Sequence, residues 1–389
     1  MASQPFPERA TIKSMEQGAT MRGMTWNHSR GYDPLVAASI EWKALTGETI
    51  EWDQRSLQDF ESYPVEELAR RYDLIVIDHP HVGQVATSNC LLPIDEAIDP
   101  PTLEGIASGS IGGSYESYTW AGHQWALPID AAAQVQAWVP SRIAAPVTDW
   151  RALAALAADG RASLPLKPPH SLMSLFTLCG IAGVTLDGAG DDLFPAEAAR
   201  AYDLLATLAG QVDEQAYAMD PIDMLEAMAD PAGKLAIAPL IYGYVSYAID
   251  GLRPETVRFA DIPALDHGPT GSTLGGTGMA VSAYGRNPPA AARFAAWVAN
   301  GKAQRDLIAR HGGQPGHADA WGADSVNAAT NDFYRATRAT LDRAWVRPRH
   351  DGYMPFQHAA SERINTALRG GEPAADAIAA LNQLYRASR

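Results

Sequence analysis

The chain has 389 residues, 47% of them hydrophobic and 19% charged, which is enough apolar material for two or three folded units and excludes a disordered chain. The formal charge of −15, with lysines and arginines scattered, excludes a nucleic-acid or anionic-membrane partner, because a phosphate surface would repel it. Cys90 and Cys179 form no CxxC pair and therefore no cysteine metal site; both read as small buried apolar side chains.

The opening stretch MASQPFPERATIKSMEQGAT has neither a basic start nor an apolar h-region, and residues 1–17 read as a flexible segment. No apolar run approaches the roughly 18 residues of a membrane-spanning helix. On this reading the chain is soluble, cytoplasmic as it stands and periplasmic if a signal was removed. From Met21 the pattern runs strand, helix, strand, helix, strand. MRGMTW is a first strand. DPLVAASIEWKALTG is a helix with Asp33 as N-cap, Pro34 at the first helical position and Gly47 as the stop. Its Leu35, Ala38, Trp42 and Leu45 fall on one stripe. ETIEWD is a second strand, YPVEELARRY a short helix and DLIVID a third strand. Such brief alternation predicts a parallel α/β sheet with right-handed crossovers.

YTWAGHQWALPID reads as a hairpin around Gly122 and His123. Beyond Ala131 come alanine-rich helices, interrupted by the strand-like GKLAIAPLIYGYVSY. STLGGTGMAVSAYG supplies another strand, and EPAADAIAALNQLYRAS is an amphipathic helix with Ala374, Ile378, Leu381 and Tyr385 on one face. LGGTG precedes a strand instead of joining a strand to a helix, so it lacks the setting of a nucleotide-phosphate loop.

Four segments together resemble the extracellular solute-binding proteins of ABC importers, a group that includes many sugar binders. They are DLIVIDHPHVGQVATSNCLLPIDEAI, HQWALPIDAAAQVQAWVPSRI, LGGTGMAVSAYGRNPPAAARFAAWVANGKAQRDLIARHGGQPG and RINTALRGGEPAADAIAALNQLY. The third is the most specific. The resemblance implies an α/β, two-lobed periplasmic-binding-protein-like fold of type II. Each lobe would be a mainly parallel sheet flanked by helices, with a ligand cleft between the lobes. It implies an N-terminal lobe of residues 18–129 plus 264–312 and a C-terminal lobe of 130–263 plus 313–389. Hinges would fall near Pro128–Asp130, Ala260–Pro263 and Gly312–Gly316.

In open α/β sheets, ligands bind beyond the carboxyl ends of the strands. With strand order 2-1-3, the tips WNHSRGYD, WDQRS and DHPHVG bring Trp26, His28, Arg30, Tyr32, Arg55, Ser56, Asp78, His79 and His81 to one end of the sheet. The sharpest form of this expectation is that His28, Arg55 and His79 meet at one rim of the cleft. Trp26, Tyr32, Trp120 and Trp125 offer aromatic faces to a sugar or an aromatic ring. Arg30 and Arg55 could pair with a ligand carboxylate or with Asp33, Asp53 or Asp59. Tyr242 and Tyr244 would share one side of an extended segment as the opposite wall, with Tyr247 on the other. Asp130, Gly276, Thr277 and Gln314 belong to the crossings, and by family analogy approach the ligand.

Two functions follow. The first is an importer's receptor that binds a sugar, sugar acid or other small organic acid, with ABC permease subunits as partners. It would be a monomer, with no cofactor, no nucleic acid and no membrane insertion. The second is a cytoplasmic enzyme on the same fold, in which His28 or His79 beside Asp78 acts as a general base on a carboxylate- or carbohydrate-like substrate. No metal is expected. A zinc site on His28, Asp78, His79 and His81 would need an extended path through Pro80, and no tight ligand spacing supports it. No GxSxG elbow is present either.

Overall fold

The structure, a computed structural model, describes residues 20–56, 64–265 and 268–389. The segment 1–17 and Asp59 lie outside the described residues. One sheet runs through the molecule in the order β2 (Ile50–Arg55), β1 (Met21–Trp26), β3 (Leu74–Ile77), β9 (Leu274–Val281), β6 (Leu127–Trp138), β7 (Ile237–Tyr242), with β8 (Arg258–Ala260) also paired to β6. Strand β1 (Met21–Trp26) lies parallel to β2 (Ile50–Arg55) and β3 (Leu74–Ile77), which is the expected 2-1-3 order. The runs of β-branched and apolar residues explain why β1 and β3 lie almost wholly inside.

Two long antiparallel strands then carry the chain from one core to another. In β6 (Leu127–Trp138), Leu127 and Ile129 belong to a core shared with β1 and β3. Ala131, Ala133, Val135 and Ala137 belong to a second core, shared with β7 (Ile237–Tyr242) and β8 (Arg258–Ala260). Strand β9 (Leu274–Val281) makes the same passage in reverse, with Leu274 in the second core and Met279 and Val281 in the first. The pairing of β6 with β9 shifts register between Pro128 and Asp130, just where the passage occurs. Gly276 permits it: its φ is +99°, and a Cβ there would stand 2.4 Å from the Asp130 carbonyl oxygen. The third passage, near Gly312–Gly316, is tied to β6 by the Ala131 N–H, which donates to the Gln314 carbonyl at 2.7 Å.

The first lobe has the expected mostly parallel sheet, but the second does not. There β7 and β8 both run antiparallel to β6, and the parallel contacts among the described residues of that region are two single bridges, Ala162–Ile237 and Thr273–Trp345. The alanine-rich segments fold as successive helices, including Trp150–Ala158, His170–Ile181, Ala198–Ala209 and Pro221–Ala229, with no strand between them to alternate. The first three pack with the tail helices Tyr353–Gly370 and Ala374–Ala387, whose Ile378, Leu381 and Tyr385 face inward, while Pro221–Ala229 packs into the second core. The hairpin at Gly122 is present as β4 (Thr119–Trp120) and β5 (His123–Gln124). Cys90 and Cys179 are free, buried thiols in different cores.

The first long helix corrects a boundary. It runs from Ser29 to Thr46 and stops at Gly47 as expected, but its N-cap is His28, not Asp33. The His28 Nδ1 accepts from the Arg30 N–H at 3.0 Å, so an imidazole satisfies the orphan amide an Asp would have taken. Arg30 and Tyr32 therefore sit in the helix's first turn instead of a loop. A second correction concerns His79–His81, which form a tight 3-10 turn and not an extended segment. Asp78 caps it, accepting from the His79 N–H at 2.8 Å.

Candidate functional site

At the carboxyl ends of β1 and β3, between the two sets of cores, lies a hollow of about 80 Å³. Trp26 ends β1 and Asp78 follows β3; both line it. Asp130, Gly276 and Thr277 line it from the two crossing strands, and Tyr242 and Tyr244 from the far side. Tyr242 ends β7 and Tyr244 comes two residues on, while Tyr247 turns into the second core. Arg30 reaches in from the first helix.

Two ion pairs flank the hollow. The Arg30 guanidinium donates through Nε to Asp130 Oδ1 at 2.8 Å and through a second nitrogen to the other carboxylate oxygen. Its remaining terminal nitrogen donates to the Gly243 carbonyl at 3.0 Å, and the group lies 4.6 Å from the Tyr244 ring centre. Burial alone would lower the Arg30 pKa, but the Asp130 carboxylate beside it outweighs burial and raises it. Asp130 was not among the partners considered for Arg30; the two are brought together only by the crossing strand.

The second pair is Arg347 with Asp78. One terminal nitrogen of Arg347 donates to both Asp78 oxygens, at 2.8 and 2.7 Å, and the other donates to Gln357 Oε1 at 2.8 Å. The strap carrying Arg347 is fixed beside the start of β9, where the Trp345 N–H donates to Ser272 and the Leu274 N–H donates back to Trp345. Burial would raise the Asp78 pKa, yet Arg347 and then His79 hold it well below the ordinary carboxylate range.

Three of the residues that line the hollow each carry a buried polar atom with no partner inside the chain. Among the described residues, His170 Nδ1, Thr277 Oγ1 and Arg347 Nε are buried and make no hydrogen bond. His170 is 4% exposed and meets the Tyr242 ring edge-on at 6.2 Å between centres. Burial lowers its pKa to about 4, so it is neutral near pH 7. A buried polar atom left unpaired costs about 1–3 kcal/mol, so three around one hollow mark a place for hydroxyl groups.

Other expected residues stand outside the wall of the hollow. His28 caps its helix and meets Tyr244 edge-on at 5.0 Å. His79 is buried with Nδ1 3.3 Å from Asp78 and its ring against Tyr118. Arg55 ends β2, where its carbonyl accepts from the Asn27 N–H. His28, Arg55 and His79 are therefore not brought together as a rim of this hollow: none of the three is among the residues that line it. Tyr32 is half-buried on its helix, Ser56 is exposed beyond β2, and His81 is buried in the 3-10 turn. Trp125 is a core residue under the hairpin, donating to the Trp120 carbonyl at 3.0 Å. Gln314 braces the crossings, accepting from the Val245 N–H at 2.9 Å and donating to the Ala131 carbonyl at 3.1 Å. Sequence reasoning missed His170, Arg347 and Gln357; none lies at a strand tip. Among the described residues no group of three His, Cys, Asp or Glu side chains could hold a metal.

The sequence model of the bacterial extracellular solute-binding proteins matches residues 65–331. The chain belongs to this family. Membership makes it a solute-binding protein and not an enzyme, so the general-base role considered for His28, Asp78 and His79 falls away. No protein of curated function matches this solute-binding protein in sequence. Its fold is that of solved solute-binding proteins. A maltose-bound protein of T. maritima is 15% identical, with a TM-score of 0.79 over 94% of this chain and 98% of its own. A Thermotoga lettingae ABC-transporter protein bound with α-D-tagatose is 16% identical, with a TM-score of 0.78 over 95% and 99%. One from Agrobacterium radiobacter, in complex with ribitol, is 18% identical with a TM-score of 0.75 over 95% and 99%. The two-lobed fold is common to all. Among the described residues no helix is long and apolar enough to cross a membrane.

Proposed function

We propose that this solute-binding protein is the receptor of an ABC-type importer, working outside the cytoplasmic membrane, and that it closes on one small polyhydroxylated molecule. The observation that carries this reading is that three residues lining one hollow, His170, Thr277 and Arg347, each hold a buried polar atom that has no partner in the chain. Each would take or give a hydrogen bond to a hydroxyl, while the faces of Trp26, Tyr242 and Tyr244 would cover the ligand's C–H surface. Size narrows the class. At roughly 10–15 Å³ per water position, 80 Å³ corresponds to about six waters, the bulk of one sugar ring or of a five- or six-carbon polyol. The ribitol and α-D-tagatose of two structural neighbours are of that size.

The lobes would be residues 18–129 with 264–312 and residues 130–263 with 313–389, hinged at the three passages. ABC permease subunits would receive the closed form, and a monomer suffices for that. Calorimetry with pentitols, hexoses and maltooligosaccharides tests the reading. It expects one-to-one binding of a single-ring sugar or polyol, recovered unchanged. Tight binding of the longer chains alone, or conversion of the ligand, would contradict it.

A further inference from the structure

The charges of the hollow are already spent on one another. Apart from the phenols of Tyr242 and Tyr244, five ionisable groups line it: Arg30, Asp78, Asp130, Arg347 and His170. Two are cations and two are anions, and they pair off; the fifth is an imidazole that burial keeps neutral. The side chains of the Arg30–Asp130 pair are both 5% exposed, and those of Arg347–Asp78 are 4% and 12% exposed, so neither pair is loosened by solvent. Of the Arg347 nitrogens, two are consumed by Asp78 and Gln357, and only Nε has no partner in the chain.

Resting on the receptor reading above, we infer that the Asp78–Arg347 pair determines specificity by confining the cleft to neutral solutes. Arg347 serves as one N–H donor for a hydroxyl oxygen, not as a cation for a carboxylate. An acidic sugar would place its carboxylate in a low-dielectric space beside Asp78 and Asp130, with no unspent guanidinium to receive it. A cationic sugar meets the same obstacle in reverse, since both carboxylates are engaged. The pair also couples selection to closure. Asp78 follows β3 on one side of the hollow, and Arg347 leans on Gln357 of the helix Tyr353–Gly370 on the other, so the contact forms only when both sides are together.

The inference predicts that either partner alone can be made to accept a charge. Asp78→Asn keeps an acceptor for the His79 N–H while freeing Arg347, and Arg347→Gln frees Asp78. The test is calorimetry on the folded chain with a neutral hexose, the matching hexuronate and the matching amino sugar. Wild type is expected to favour the neutral sugar at least a hundredfold over both charged forms. Asp78→Asn should shift the preference toward the uronate at least tenfold, and Arg347→Gln toward the amino sugar by as much. Circular dichroism establishes which variants fold, and either folded variant decides. Wild type binding the uronate as tightly as the neutral sugar, or a folded variant with unchanged preference, would overturn this inference alone. Wild type binding no member of the panel, nor any other sugar or polyol, would overturn the receptor reading beneath it.

Discussion

The Arg30 guanidinium, carried by the helix Ser29–Thr46 that packs on the first core, donates to the carbonyl oxygen of Gly243, just beyond β7 of the second core, at 3.0 Å while Asp130 neutralises it from the crossing strand. One side chain thus ties elements of both cores to the strand that passes between them. Removing it strands a buried carboxylate. Arg30→Met is expected to cost about 3–5 kcal/mol of unfolding free energy, with Arg30→Met/Asp130→Asn recovering part of that loss. Urea titration of both variants measures it, and equal losses in the two would contradict the pairing.

Acid should loosen the molecule in two stages. Burial pushes His28, His79 and His170 from 6.5 down to about 4. The unfolded chain therefore takes up these protons first. Their contribution is complete above pH 6.5 and is lost as pH falls toward about 4. Asp78 acts in the same direction lower down: its folded pKa lies below the ordinary 3.8, so its contribution is complete above 3.8 and disappears in stronger acid. Unfolding free energy measured from pH 8 to pH 4 should fall by several kcal/mol, nearly all of it below pH 6.5. A flat profile would contradict the burial of the three imidazoles.

Gly276 tests the passage itself. Its φ of +99° and the Asp130 carbonyl in the place of a Cβ make Gly276→Ala doubly strained. A loss of about 2–4 kcal/mol is expected in chemical denaturation, together with weaker ligand binding because Thr277 is displaced. Full stability in Gly276→Ala would show that the backbone is not constrained there.

Two aromatic residues should separate packing from binding. Trp125→Ala opens a cavity beneath the hairpin and should cost about 3–5 kcal/mol while leaving ligand preference unaltered. Tyr244→Ala removes a wall of the hollow and the ring beneath Arg30, so affinity should fall at least tenfold. The reverse pattern, in paired calorimetry and melting curves, would put the ligand elsewhere.

Much of the frame was legible because its signals are local. The apolar run Leu74–Ile77, the glycine stop at Gly47 and the stripe of the tail helix each specify their element within a few residues. The 2-1-3 order follows from short crossovers between parallel strands. The site was half legible. Strand tips gave Trp26 and Asp78, and the tyrosine spacing gave Tyr242 and Tyr244. Side-chain direction was not accessible: whether His79 faces the hollow or Tyr118 depends on the three-residue 3-10 turn His79–His81. Long-range pairing was the larger gap. Arg30 finds Asp130 at a separation of 100 residues and Arg347 finds Asp78 at 269, and nothing in VRPRH announces such a partner.

The most direct test of the whole reading is the dissociation constant of the best neutral single-ring sugar or polyol for wild type against Thr277→Val, a swap that keeps the shape and deletes one hydroxyl. A loss of at least tenfold with unchanged melting temperature in the ligand-free protein is the predicted result. Equal affinity would mean that the orphaned oxygen of Thr277 never meets the solute, and the hollow would not be its seat.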